Sequence, residues 1–277
     1  MGLGVIGGSA ALRLQQRGTR LTTYAASDRD RALARDAGIP VAASIEDAVR
    51  GASLVLIAVP LDAIPVVGDT VVRAATSAAT VLHAASLQAA ESIRAAPHVT
   101  ARVIGAHPLA GSHRSGFSAA SADLYSGATV FIERRANARQ RDDAELFWSL
   151  AGAARIEYAT ADVHDRSMAW ASHLPQLAST ALAATLAEGL AVESLKELVP
   201  YGGPGARDAT RLAMSALDVW HPILDRAPPA TLEALRALET RLGALRSQLE
   251  RREWSTVEQM WIQARDWRRG AESGDRE

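Results

Sequence analysis

Two kinds of hydrophobic pattern divide the chain. In the first, short apolar runs alternate with amphipathic stretches. Ser53-Leu54-Val55-Leu56-Ile57-Ala58-Val59-Pro60 is a continuous apolar run, as expected of a strand covered on both faces. Residues 20–24, 80–83, 102–106, 129–133 and 155–158 also read as strands, and residues 39–42 as a short one. Between them lie helical stretches: residues 10–17 ended by Gly18, residues 30–37 capped by Gly38, residues 45–50, and one reaching Arg94. Strands and helices alternating at this spacing predict an α/β fold with a doubly wound parallel sheet. From Ala161 on, no strand pattern appears. Residues 162–187 read as one long helix with a kink at Pro175. Residues 201–205 break the pattern, and Asp208 opens another helix. Leu232, Leu235, Leu238, Leu242, Leu245 and Leu249 form an apolar stripe at helical spacing, and Trp254, Trp261 and Trp267 lie on a last helix. Such stripes are either core or a dimer seam. Two domains are expected, 1–159 and an all-α domain over 160–277.

Length and composition fit that division. A chain of 277 residues with 48% hydrophobic content can bury a substantial core. A net charge of -1 leaves no electrostatic footprint for nucleic acid or an anionic membrane. Cysteine is absent, which excludes disulfides, thiolate metal sites and cysteine nucleophiles. No metal is expected. No apolar run reaches membrane-spanning length and no signal peptide is read at the start, so a cytoplasmic location is expected.

The chemistry starts with Gly2-Leu3-Gly4-Val5-Ile6-Gly7, a G-x-G-x-x-G pattern running into the first helix. Its glycines let a backbone approach a pyrophosphate, whose charge the helix N-terminus favours. The strand that normally precedes such a pattern is missing, since only Met1 stands before Gly2. An apolar strand of about five residues is expected upstream. The strand 20–24 is followed by Ala25, where dinucleotide folds usually place an acid for the adenosine ribose. With Ser27 and Arg29 close by, the pattern favours a 2′-phosphate and hence NADP over NAD. The alternative is that Asp28 takes the acid's role. Val59, Pro60 and Leu61 leave the carboxyl end of their strand over the cofactor.

His107 follows the apolar pair Val103-Ile104 at the end of a strand and precedes the turn residues Pro108, Gly111 and Gly116. The carboxyl ends of strands are where α/β sheets bind ligands, and histidine suits proton transfer near neutral pH. The alternative is a packed, hydrogen-bonded loop histidine.

The motifs in order resemble those of the prephenate/arogenate dehydrogenase family. The resemblance rests on Gly2 to Ser9, Ala58-Val59-Pro60-Leu61, His107-Pro108-Leu109-Ala110-Gly111-Ser112 with Ser115-Gly116, and Leu124-Tyr125-Ser126-Gly127. It continues through His164-Asp165, Ser172-His173-Leu174-Pro175 and Arg207-Asp208-Ala209-Thr210-Arg211 to Trp220, nearly end to end. It implies a Rossmann-type domain followed by a helical dimerisation domain, and a homodimer. It implies oxidative decarboxylation of a cyclohexadienol: a hydride leaves the hydroxyl-bearing carbon for nicotinamide, and carbon dioxide leaves the opposite carbon. It assigns His107 as the base on the substrate hydroxyl, and Ser86 and His173 to the catalytic surroundings. Arg211 is matched to a residue that binds a substrate carboxylate, Trp220 to a pocket wall, and Ser112 and His113 to the substrate side. The chain departs from the family pattern where His83 and Gln88 replace an acid and a lysine, His113 an acid, Gln176 a histidine, and Ala206 an aromatic. These changes bear on the substrate: prephenate in tyrosine biosynthesis, or alternatively arogenate or an amino-substituted prephenate. A reading of another class is a catalytically weak NADP-binding dimer.

Overall fold

The computed structural model describes residues 1–112, 114–191, 203–226 and 229–274. Its sheet has five strands among these residues: β1 Leu54–Ile57, β2 Thr80–His83, β3 Val103–Pro108, β4 Thr129–Glu133 and β5 Arg155–Ala159, paired in that order. Every pairing is parallel except β3 with β4, which is antiparallel and sets His107 opposite Phe131. The sheet is therefore parallel-dominant rather than wholly parallel. The antiparallel partner also keeps His107 and Pro108 inside the ladder, where the sequence ends the strand at residue 106.

Alternating side chains explain why both faces are covered. Leu56, Leu82, Ile104, Val130 and Ile132 pack on one face with Tyr125 and Trp148, whose rings meet edge-on at 5.2 Å. Val55, Ile57, Val81 and Val103 pack on the other with Val71 and Val99. The covering helices are α1 Val5–Gln16, α2 Asp28–Asp36, α3 Ile45–Val49, α4 Ile64–Ala74, α5 Ala90–Ile93, α6 Pro97–Arg102 and α7 Ala138–Ala151. Local chemistry sets their ends. Asn137 and Gln140 form a reciprocal capping box at the start of α7, which satisfies two otherwise orphaned N–H groups.

Two expected strands are reduced. Residues 20–24 and 39–42 meet only in the bridge Thr23↔Val41, with Thr23 N–H donating to Pro40 C=O at 2.9 Å and Ala42 N–H to Thr23 C=O at 2.8 Å. On the other side, Gly2 N–H donates to Tyr24 C=O at 2.8 Å and Ala58 N–H to Met1 C=O at 2.7 Å. Beyond those bonds a cavity of about 440 Å³, lined by Met1, Leu21, Thr23, Leu54, Leu56 and Phe147 among others, separates residues 20–23 from β1. A ladder cannot propagate across it.

The expected long helix is three segments: α8 Ala161–Met168, a π-turn Ala169–His173, and α9 Leu174–Gly189. Pro175 sits in the first turn of α9, where its missing N–H costs nothing. The π-turn before it absorbs the backbone disruption that a mid-helix proline causes. α10 Pro204–Ala209, a 3-10 turn Arg211–Met214 and α11 Leu217–Arg226 follow.

By contacts the chain forms two units, Met1–Pro228 and Pro229–Glu277. The second holds α12 Pro229–Glu250 and α13 Trp254–Gly274, turning at Arg252 with φ 59°. No described helix is long and apolar enough to cross a membrane.

Candidate active site

The glycine pattern folds as its chemistry requires. Gly2 has φ +88°, and a Cβ there would meet Ala58 O at 2.1 Å. A Cβ on Gly7 would meet Gly2 O at 2.0 Å, so α1 packs directly on the turn. Gly4 caps α1 without a side chain, and a Cβ there would meet nothing within 4 Å. Two glycines shape the turn and the middle one leaves open space over a helix N-terminus, the arrangement that accepts a pyrophosphate. These residues fit a dinucleotide. Leu3 is buried with Ala11, Ala25, Ala34, Ile39 and Phe117, so it offers a ligand only its backbone. Val5 and Ile6 are half-buried in the first turn of α1.

At the far end of the turn, Ser27 caps α2 by accepting Asp30 N–H at 3.2 Å. Arg29 is exposed on the first turn of α2. Arg31 donates to Ala25 C=O and to Ala26 C=O, pairs with Asp28, and lies over the Tyr24 ring at 5.7 Å. Arg31 went unremarked in the sequence, although its three-residue spacing from Asp28 was a usable signal. Val59 and Pro60 leave β1 toward the same turn, and Leu61 is buried at the start of a 3-10 turn.

His107 sits near the end of β3, half-buried. Its Nδ1 lies 3.0 Å from His164 Nε2, with the two rings edge-on at 5.2 Å. His164 Nδ1 lies 2.7 Å from Asp165 Oδ1. The Asp165 carboxylate also accepts Gln88 N–H at 2.8 Å and Ala89 N–H at 3.0 Å. Both α8 residues are buried. Burial pushes His107 down to about 3, helped by the charges that His164, His83 and His173 would carry. His83 is held down to about 4 by burial and by Arg135, and His173 to about 4 by burial. These effects hold His107 in its neutral form near neutral pH.

The helices bring together several of the residues expected on the substrate side. His173 ends the π-turn, buried, with its ring edge-on to Trp220 at 6.0 Å. Trp220 packs with Leu61, Ala85 and Leu87 of the nucleotide half. Gln176, three residues after His173, donates to Leu212 C=O at 2.9 Å, which fixes the 3-10 turn carrying the exposed Arg211. Ser86 lies half-buried in the loop after β2. Ser112 is exposed and accepts Arg114 N–H at 3.1 Å. His113 lies outside the described residues. Gln88 lies against Gly105 on β3 and donates to Phe131 C=O at 3.1 Å.

The structure thus joins His107 to His164 and Asp165, and His173 to Trp220. His164-Asp165 belongs to the motifs that carry the family resemblance, but the sequence alone points to no role for it. An adjacent His-Asp pair opening the first helix after the sheet was the signal.

Known proteins carry the same architecture. The family model for the prephenate dehydrogenase nucleotide-binding domain matches residues 10–157, and that for the prephenate dehydrogenase dimerization domain matches residues 160–262. Cyclohexadienyl dehydrogenase of Zymomonas mobilis is 31% identical over 254 residues, covering 89% of this chain and 86% of its own. Prephenate dehydrogenase of Bacillus subtilis is 25% identical over 278 residues, covering 97% of this chain and 74% of its own. The fold matches prephenate dehydrogenase from A. aeolicus, solved with hydroxyphenyl propionate and NAD+, at TM-score 0.84 and 23% identity over 96% of this chain and 95% of that one. Matched by both family models and 31% identical to the Zymomonas relative, the chain belongs to the prephenate dehydrogenase family of oxidoreductases.

Proposed function

We propose that the chain oxidatively decarboxylates prephenate to 4-hydroxyphenylpyruvate with NAD(P), a step of tyrosine biosynthesis. The observation that carries this reading is a neutral histidine at the ligand-binding end of β3, in a chain with an open glycine cradle. Bound NAD(P)+ supplies the acceptor for the hydride that leaves the hydroxyl-bearing ring carbon. His107 accepts the hydroxyl proton as that carbon becomes carbonyl-like. Carbon dioxide leaves the opposite carbon, its bonding electrons enter the ring, and His107 returns the proton to the phenolic oxygen. Arg211 offers a guanidinium to a substrate carboxylate. His173 and Trp220 wall the ring, and Ser86 borders the nicotinamide side. Aromatisation drives the reaction, so the protein's task is placement and charge.

The preferred cofactor is NADP. Ala25 offers no carboxylate, and Asp28 is paired with Arg31, which leaves Ser27 and Arg29 for a 2′-phosphate. The assembly is a homodimer through the helical domain, whose family model carries the dimerization name.

A second reading, arogenate or an amino-substituted prephenate, has one observation in its favour. Gln88 stands where the family pattern has a lysine; it carries no charge, and its Nε2 donates to Phe131 C=O. A pocket short of one cation tolerates a substrate that brings its own ammonium. Steady-state NAD(P)H formation with prephenate and arogenate, each with NADP and NAD, tests both readings. Turnover of prephenate with a higher kcat/KM for NADP is the expected result. Turnover of arogenate alone moves the assignment to the second reading, and turnover of neither overturns both.

A further inference from the structure

A carboxylate accepts hydrogen bonds and donates none. Asp165 receives two backbone N–H groups, from Gln88 and Ala89, which fix both its oxygens on one rigid turn. Its remaining partner is His164 Nδ1, so that nitrogen carries a hydrogen. In a neutral His164 the lone pair is then on Nε2, which faces His107 Nδ1 at 3.0 Å. His107 must donate from Nδ1, and its own lone pair is left on Nε2. Phe131, opposite His107 on β4, lies edge-on to the His164 ring at 5.5 Å and limits its rotation. The chain His107–His164–Asp165 thus has one direction, set by the acid at its buried end.

We propose that His164 and Asp165 are positioning residues that hold His107 in the Nδ1–H tautomer, with the Nε2 lone pair presented to the substrate hydroxyl. The assignment deepens the proposed dehydrogenase reading and rests on it for its catalytic consequence. When His107 takes the hydroxyl proton on Nε2, its Nδ1–H bond to His164 strengthens and the new charge is answered by Asp165 two bonds away. No proton needs to leave His107 for this to work, as with the aspartate of a serine-protease triad. Neither positioning residue touches substrate.

Two substitutions separate this role from core filling. His164→Leu keeps an apolar bulk in a buried site and removes the acceptor. His164→Gln offers a carbonyl oxygen near the place of Nε2. The expected result for His164→Leu is a kcat lower by about 100-fold or more, with KM and the cofactor Kd within about threefold. His164→Gln should recover kcat to within about tenfold of the parent. A mere packing role predicts the opposite order, because leucine suits an apolar cavity better than an amide. A leucine variant with kcat near the parent's, or leucine and glutamine variants that do not differ, overturns the proposal.

A second measurement does not depend on turnover. Nitrogen-15 NMR of the labelled protein near neutral pH, with His107 assigned by its loss in His107→Asn, reports which ring nitrogen carries the hydrogen. Nδ1–H in the parent is expected. Nε2–H overturns the tautomer assignment whatever the enzyme turns over. Failure to oxidise either cyclohexadienol, with Nδ1–H observed, strikes the proposed function and leaves the hydrogen-bond chain standing.

Discussion

A histidine serves as a base only while its imidazole is neutral, and the surroundings of His107 keep it so. Burial removes the solvation that a cation needs, and the charges that His164, His83 and His173 would carry oppose it further. His107→Asn keeps a polar side chain of similar size without proton-accepting strength. A loss of about 10²–10⁴ in kcat with little change in KM is expected from steady-state kinetics. The same burial makes stability depend on pH. His83 and His173 are 4% and 1% exposed, and both fall from 6.5 to about 4. Above pH 6.5 folded and unfolded chains are both neutral at these sites. Below it the unfolded chain takes protons that the folded chain refuses, so stability falls with acid until about pH 4. Each histidine contributes about 1.4 kcal/mol per pH unit within that window. With His107, pushed down to about 3, adding a third contribution of the same sign, urea unfolding should give a stability about 3–4 kcal/mol lower at about pH 5.5 than at about pH 7.5. Equal values would show that these rings are protonated in the fold.

At the scale of elements, the turn into α1 separates folding from binding within one motif. A Cβ on Gly7 would meet Gly2 O, and a Cβ on Gly4 would meet nothing within 4 Å. Gly7→Ala forces the helix off the turn and should cost about 1–3 kcal/mol of stability along with cofactor binding. Gly4→Ala should cost less than about 1 kcal/mol, the scale of an N-cap change, yet weaken NAD(P) strongly by occupying the approach to the helix. Thermal melts and cofactor titration of both variants check the split. The proposed preference for NADP rests on the start of α2. Arg31 is already committed to Ala25, Ala26 and Asp28, so Arg29 is the cation left for a phosphate. Arg29→Ala should lower kcat/KM for NADP and leave NAD nearly unchanged. Equal losses with both cofactors would return Arg29 to a general surface role.

Over the whole molecule, the second unit carries apolar surface that its own two helices do not cover. Trp254, Trp261 and Trp267 are 62%, 66% and 75% exposed, and Leu242 and Leu249 are also open. Large aromatic residues at such exposure mark an interface, in agreement with the dimerization model that matches residues 160–262. Light scattering at micromolar concentration should show a dimer, and Trp261→Glu should shift it toward monomer. A parent protein that stays monomeric would leave these residues without a proposed partner.

The sequence by itself determined what depends on neighbouring residues. Short, largely apolar runs placed β1 through β5, because a strand covered on both faces is apolar nearly throughout. The glycine spacing set the turn at Gly2 and Gly7, because only glycine tolerates that φ and that contact. The end of an apolar strand located His107. Tertiary structure decided what joins distant residues. The antiparallel β3–β4 pairing drew His107 into the ladder and set it opposite Phe131, a choice of partner that no local pattern encodes. Residues 20–24 lost most of their ladder because strand length depends on what lies alongside. Pro175 announced a kink, but not that a π-turn would stand before it. The chain from His107 through His164 to Asp165 spans residues 57 and more apart and ends on backbone N–H groups 77 and 76 residues away. Such a network exists only once α8 packs across the sheet's end, because hydrogen bonds between distant residues depend on position in space and not on order along the chain.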